Sequence, residues 1–457
     1  MKPIRLISGI FTVGIWTLLS RVLGVIREVM ILGLIGPGPV MDAFVAAFRL
    51  PNMFRRFFAE GAFNAAFVPM FSKRVEAAED PEGFASEAAS GLAFVLLCLT
   101  GLSLVFMPAL VWATAEGFAG TERFDLTVSF GRVVFPYVLF ISLAALFSGM
   151  LNAAGHFAAA AAAPSLLNLF VILAMGLAAL LGGPVAEVLI WTIPFSGIAQ
   201  LALVWWAVRQ AGYRLDWRWP RLTPDMKHLA VVALPAALAG GVMQVNLLVG
   251  QQVASNFENA VGWLYAADRL YQLPLGVVGI AAGIVLLPDL SRRLKSGDGA
   301  GARDALSRAS EFAFIISLPC AVALVVIPLP LVSVLFERGA TGPDDSAAIA
   351  VAVAIYALGL PAFILQKLLQ PIFFAREDTR SPFRYAVWSM VINAVVAIGL
   401  SFVIGWLAPA VATSVAGWAM VALLLRGSRG MGEVARFDAR FHRRICRICA
   451  AAVVMGA

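Results

Sequence analysis

The chain has 457 residues, of which 61% are hydrophobic and 13% charged, with a formal net charge of +7 and a mean hydropathy of +0.88. A soluble globular domain carries about 25% charged residues. The composition therefore excludes one and points to an all-α polytopic membrane protein with no soluble domain left over.

Apolar runs of about 20 residues, each long enough to cross a hydrocarbon core of roughly 30 Å, predict spans near 7–34, 40–70, 88–113, 131–153, 164–183, 185–208, 228–255, 263–290, 310–336, 346–374, 383–404 and 407–426. The first lacks a small-x-small cleavage site and holds Arg21, so it reads as a retained span rather than a signal peptide. A thirteenth begins near Ile445 and meets the end of the chain at Ala457, which leads us to expect a natural protein that continues further.

Loop charge sets the expected orientation. Arg209, Arg214, Arg218, Arg221 and Lys227 follow the sixth span; Arg292, Arg293, Lys295, Arg303 and Arg308 follow the eighth; Arg376, Arg380 and Arg384 follow the tenth. The alternate loops, such as "IGPGPV" and "SNFENAVG", hold few or no basic residues. The N-terminus is therefore expected in the cytoplasm, and the positive charge is a topology signal rather than a sign of nucleic acid. Cys98 and Cys320 read as small hydrophobes within spans, and Cys446 and Cys449 form a lone CxxC without a second ligand pair. No metal, cofactor or catalytic group is expected.

The chain repeats itself. Pro136 and Asn168 are 32 residues apart, as are Pro361 and Asn393, and "FVPMFSKR" (67–74) matches "LLPDLSRR" (286–293). Six spans per repeat place both halves in the same orientation, an arrangement of transporters whose two bundles rock about a midplane site. We expect a lobe over 1–222, a second over 223–430, and a cytoplasmic linker with the start of a further, truncated helix over 431–457. "LIGPGPV" and "YQLPLGVVGIAAG" are candidate bending points.

Charges inside the early spans need a purpose, because an arginine near the middle of a span costs about 2.5–3.5 kcal/mol on insertion scales. Arg21, Arg27, Arg49, Arg55 and Arg56 form a basic set that Glu28 and Asp42 neutralise only in part. Asp42, Arg49 and Arg56 recur every seven residues and share a helical stripe with Glu60 beyond them. Asp268 and Arg269 add a pair in the second half. Two readings stand: snorkelling or structural ion pairs near a span end, or one wall of an anion site, since guanidinium groups offer forked donors to phosphate oxygens.

"SRVLGVIREVM" (20–30), "DAFVAAFRLPNMFRRFFAEGAFNAAFVP" (42–69), "YAADRLYQLPLGVVGIAAGIVLLPDLSR" (265–292) and "REDTRSPF" (376–383) resemble the MurJ (MviN) lipid II flippase family of the multidrug/oligosaccharidyl-lipid/polysaccharide exporter superfamily. The resemblance runs through essentially the whole chain. It implies two pseudo-symmetric six-helix lobes around a central cationic cavity in the inner membrane of a bacterium. The implied cargo is undecaprenyl-pyrophosphate-linked disaccharide-pentapeptide, moved from the inner to the outer leaflet for peptidoglycan synthesis. The positions matching the family's cavity residues are Arg21, Arg27, Asp42, Arg55 and Arg269, with Asp268 beside the last. As partners we expect lipid II, the bilayer and the cell-wall synthesis machinery, no nucleic acid, and a monomer. Gln272 stands where members often carry an acid, which argues against carboxylate-based cation or proton coupling at that point. The family usually has fourteen spans, the last two helping to form a groove for the lipid tail. The alternatives are a cation-coupled exporter of drugs or another lipid-linked oligosaccharide, and an integral-membrane enzyme acting on polyprenyl phosphates. The first would favour embedded carboxylates. The second would need clustered acids for a metal, whereas the one Asp-Asp pair, Asp344 and Asp345, reads as a helix cap.

Overall fold

The computed structural model describes residues 3–56, 62–281, 286–432 and 436–457, so Glu60 lies outside the described residues. Helices joined by turns and short irregular segments make up these residues, with no strand among them. They divide into two compact units, Met1–Gln244 and Val245–Ala457.

The first unit holds α1 (Pro3–Ile35), α2 (Pro39–Arg55), α3 (Ala62–Ala77), α4 (Pro81–Val105), α5 (Met107–Thr114), α6 (Glu122–Val134), α7 (Tyr137–Ala153), α8 (Ala158–Leu180), α9 (Val185–Gln210) and most of α10 (Pro224–Ala254). The second holds the end of α10 with α11 (Ala260–Ala281), α12 (Leu287–Lys295), α13 (Gly299–Val326), α14 (Pro328–Phe336), α15 (Pro343–Phe374), α16 (Arg380–Ile404), α17 (Ala408–Ser428) and α18 (Ala439–Gly456).

Among the described residues, seven helical stretches are long and apolar enough to cross a membrane: Pro81–Val105, Glu122–Ala153, Ala158–Leu180, Val185–Gln210, Gly299–Val326, Pro343–Phe374 and Arg380–Met431. The last carries two helices, α16 and α17. The other expected spans correspond to α1, to α2 with α3, to α10, and to α11 with α12. They either carry the charged residues in question or run beside positions outside the described set.

Local chemistry explains where these helices begin and end. Gly36 takes φ +70° just past α1, a conformation open to glycine at little steric cost, and Pro39 opens α2 with its φ already helical. "IGPGPV" is thus the turn between two helices rather than a bend within one. Asp80, Asp298 and Asp438 cap α4, α13 and α18 by accepting the backbone N–H of Gly83 (2.9 Å), Gly301 (2.8 Å) and Phe441 (2.5 Å). Asp344 and Asp345 lie in the first turn of α15, and the Asp345 carboxylate accepts from the Gly342 N–H (3.3 Å) and the Trp263 indole (2.8 Å). Capping therefore accounts for Asp345, as the sequence indicated. Pro274 sits inside α11, where its missing N–H removes one hydrogen bond of the ladder.

Neighbour relations recur in the two units. In the first, α2 packs on α6, α7 on α9, and α8 on both α1 and α9; in the second, α11 packs on α15, α15 on α17, and α16 on α17. The 32-residue stretch Glu122–Ala153 has a counterpart in the 32 residues of Pro343–Phe374. The two differ at proline: Pro136 sits at a break between α6 and α7, whereas α15 continues through Pro361. Aromatic rings build the core of the first unit, with Phe67 stacked on Phe71 and Phe84 at 5.6 and 5.5 Å between centroids. Cys98 is exposed on α4, not buried, because a chain bathed in lipid turns apolar side chains outward as well as inward.

A charge cluster fastens α18 to α13. The nearly buried Glu311 carboxylate meets Arg308 at 2.5 Å, Arg444 at 2.9 Å and Arg440 at 3.8 Å, while Arg308 also pairs with Asp438. Phe441 closes the contact against Phe314 and Phe437. Partial burial pushes the Asp438 carboxyl up, but the Phe441 N–H and the Arg308 guanidinium outweigh it and hold the group below the ordinary carboxylate range. Removing one partner of a buried ion pair costs about 3–5 kcal/mol, reduced here because Arg308 and Arg444 are partly solvated. Glu311→Gln is expected to release α18, read as faster amide exchange over 439–450 with little change in α15. Unchanged exchange would mean that the aromatic contact alone holds the helix. In the wild type the Asp438 carboxyl, whose folded value is depressed, contributes stability above its unfolded value of about 3.9. That contribution should be retained at pH 5 and fade as the pH falls through the lower folded value.

Candidate functional site

Arg27 is held at two points on its guanidinium. It lies three-quarters of the way along α1, with its side chain 15% exposed. One terminal nitrogen donates to Asn168 Oδ1 on α8 at 2.8 Å and the other pairs with the Glu28 carboxylate. Asn168 in turn donates from Nδ2 to the Ser20 carbonyl at 2.9 Å, tying α8 to α1 about two turns before Arg27. A guanidinium fixed at two points loses less rotamer freedom on meeting an anion than one waving freely. Arg21 lies six residues earlier, about 9 Å along the axis, and is exposed.

On α2 the seven-residue stripe spreads its charges along the helix. Asp42 and Arg55 are thirteen residues apart, about 20 Å at 1.5 Å per residue, so one phosphate cannot touch both. Asp42 is fully buried in the first turn, where its carboxylate accepts from Arg123 of α6 at 3.4 Å. Arg123 also lies 4.8 Å over the Phe118 ring. Arg49 and Arg55 are partly buried, and Arg56, at the end of α2, is exposed and reaches Gln244 Oε1 at 3.5 Å. The structure thus brings Asp42 to Arg123 and Arg56 to Gln244, and it does not gather Asp42 with Arg55 at one point.

In the second unit Arg269 stands 4.4 Å over the Tyr265 ring, a cation–π contact that leaves the edge of the guanidinium plane as its donor rim. Gln272 donates to the Asp268 carboxylate one turn back. The position expected to lack an acid therefore carries an amide hydrogen-bonded to one, and Asp268 and Arg269 stand side by side on α11.

Three partners escaped sequence reasoning as site residues. Asn168 entered it only as a repeat marker, though an asparagine in a long apolar run is itself a sign of a polar contact. Arg123 and Gln244 carried no periodic signal that tied them to α2. Asn168→Leu is expected to lower stability by about 1 kcal/mol, the scale of an interhelical hydrogen bond in a membrane, and to cut transport several-fold. Thermal unfolding in detergent beside a transport assay at matched expression checks this; full transport would show that Asn168 is not needed to orient Arg27.

With this geometry in view, comparison with known proteins is decisive. The model of the lipid II flippase MurJ family matches residues 31–455. The chain belongs to the MurJ family of lipid II flippases. A probable lipid II flippase of Rhizobium tropici is 47% identical over 420 residues, spanning 90% of this chain and 79% of the relative. One from Rhizobium meliloti (strain 1021) is 45% identical over 459 residues, spanning 99% and 86%. A solved lipid II flippase in an inward closed conformation shares the fold, with a TM-score of 0.84 and 23% identity over 97% of this chain and 91% of its own. A multidrug resistance transporter of the MOP superfamily, in an inward-facing conformation, shares the fold at a TM-score of 0.74 and 15% identity over 96% of each chain.

Proposed function

We propose that this protein moves lipid II, an undecaprenyl-pyrophosphate-linked disaccharide-pentapeptide, from the inner to the outer leaflet of a bacterial cytoplasmic membrane by alternating access. Membership of the lipid II flippase family carries the reading, with relatives aligned over nearly the whole chain. Local chemistry supports it. A diphosphate taken bare into hydrocarbon would meet a prohibitive desolvation cost, and Arg27 is a buried, pre-positioned guanidinium suited to lower that cost. Arg21, Arg49, Arg55, Arg56 and Arg269 are the further cations of the proposed cargo path. Asp268 and Glu60 moderate their charge, and Asp42 acts through Arg123. The polyprenyl chain stays in lipid while the polar head crosses. The transporter acts as a monomer without a cofactor or a catalytic step, with its N-terminus in the cytoplasm, two six-helix lobes over 1–222 and 223–430, and the linker and further helix over 431–457.

The test is leaflet exposure of lipid II in cells depleted of their own flippase and expressing this chain. Restored exposure at the outer surface is the expected result. If none is restored while membrane levels match those of an active relative, another lipid-linked oligosaccharide becomes the cargo to try.

A further inference from the structure

Residues 211–223, between α9 and α10, run without helix as a strap across the start of α4. The backbone N–H groups of Asp216 and Arg218 donate to Ser86 Oγ and Ser90 Oγ, both at 3.1 Å, and Thr223 Oγ1 donates to the Glu87 carboxylate at 2.8 Å. Ser86 and Ser90 stand four residues apart, one above the other on the same face of α4. The strap is therefore fixed in register with that helix.

Fixing it creates a groove. Ala93, Phe94 and Leu97 of α4 and Leu139 and Leu143 of α7 line it, with Trp217, Arg218 and Pro220 of the strap at its mouth; its volume is about 400 Å³. A methylene displaces about as much volume as a water molecule, roughly 30 Å³, so the groove accepts a segment on the order of a dozen methylenes. The lining is almost wholly apolar, and the small Ala93 gives it depth. Trp217 is held against Trp205 (6.1 Å between ring centroids) and Trp219 against Phe94 (6.4 Å), which sets two indoles beside the opening, where a membrane interface favours them.

We propose that this groove binds one anionic phospholipid of the surrounding bilayer, an acyl chain in the slot and the phosphate at Arg218. Charge favours an anionic headgroup over a zwitterionic one: residues 209–227 hold five basic side chains against two acidic. Of the two acids, Asp225 is engaged by Arg74 at 2.7 Å, and Asp216 lies 3.7 Å from Arg218, whose five N–H donors leave room for a phosphate as well. The bound lipid braces the strap that joins α9 to α10. The site depends on the membrane setting of the fold and not on the identity of the cargo, so its failure would leave the flippase reading untouched.

Native mass spectrometry of the purified full chain in detergent, titrated with palmitoyl-oleoyl phosphatidylglycerol, tests the proposal. One saturable site is expected, weaker for the phosphatidylcholine of the same chains. Arg218→Ala should weaken phosphatidylglycerol binding about fivefold, the worth of one basic residue near an anionic lipid surface. Ala93→Trp should abolish it by filling the slot. Leu97→Trp, at an already exposed side chain, blocks the same slot and decides the matter should the Ala93 variant fail to fold. Equal phosphatidylglycerol affinity in wild type and Arg218→Ala, or in wild type and the folded tryptophan variants, overturns the proposal. So does equal affinity for both phospholipids, or displacement by equimolar undecaprenyl phosphate, which would give the groove to the cargo's tail.

Discussion

Arg27→Ala is expected to abolish the appearance of lipid II in the outer leaflet while the protein still inserts. Two terminal nitrogens of this guanidinium are already aimed, by Asn168 and by Glu28, before any cargo arrives. A hydrogen bond to a charged group is worth about 1.5–3 kcal/mol. Losing two such bonds to a diphosphate lowers the rate on the order of 10²- to 10⁴-fold. Arg27→Lys keeps the charge but loses the planar fork, and should fall between the two, near tenfold below wild type. The substitution also removes the partner of the buried Glu28 carboxylate, so the comparison belongs at matched membrane levels, with Arg27→Ala/Glu28→Gln as the control for an uncompensated acid. Wild-type flipping by Arg27→Ala at equal abundance would move the cargo's phosphates elsewhere.

Asp42→Ala should produce the largest loss of stability of any single change near this region. Its carboxylate is 0% exposed and faces Arg123, itself only 12% exposed, so the substitution strands a cation in a low-dielectric setting. Breaking such a pair from one side costs about 3–5 kcal/mol. Arg123→Ala should cost a similar amount, since the buried Asp42 carboxylate is then the charge left behind. The double substitution should cost clearly less than the sum of the two, since nothing charged is then left behind. Thermal unfolding of the three variants in one detergent gives the coupling. A coupling within 0.5 kcal/mol of zero, the scatter of independent sites, would mean that Asp42 and Arg123 do not act as a pair, and would return Asp42 to the cargo path as a direct contact. Because Asp42 acts through Arg123, a folded double variant should flip lipid II more slowly than wild type at equal abundance; a wild-type rate would make the pair purely structural.

These two residues show how far the sequence could be read. Arg27 and Asp42 both stood out as charges that a bilayer would not tolerate without a reason; Asp42 is fully buried and Arg27 mostly so. The seven-residue spacing sets Asp42, Arg49 and Arg56 two turns apart along one stripe, yet a shared stripe is not a shared point: Asp42 is buried, Arg49 half-buried and Arg56 exposed. The rise of the helix separates the first and last of them by about 21 Å. The partner of each charge comes from another helix: Arg123 lies 81 residues from Asp42, Asn168 lies 141 from Arg27, and Gln244 lies 188 from Arg56. No local periodicity reports pairs so distant in the chain. Gln272 shows the same limit at short range, because the substitution was legible but its hydrogen bond to Asp268 depended on side-chain direction.

By itself the sequence determined the class of protein, its all-helical character and the family, because each depends on composition or on motifs carried within a short stretch. Hydrocarbon admits few ways to satisfy a backbone, so apolar length alone settles most of the secondary structure. Only the tertiary structure decided which charge meets which. It turned Asp42 toward Arg123, hung Arg27 between Glu28 and Asn168, locked α18 onto Glu311, and laid the strap of residues 211–223 over α4. Apart from the adjacent Arg27 and Glu28, those contacts follow from the packing of whole helices, which brings together groups that the chain keeps more than eighty residues apart.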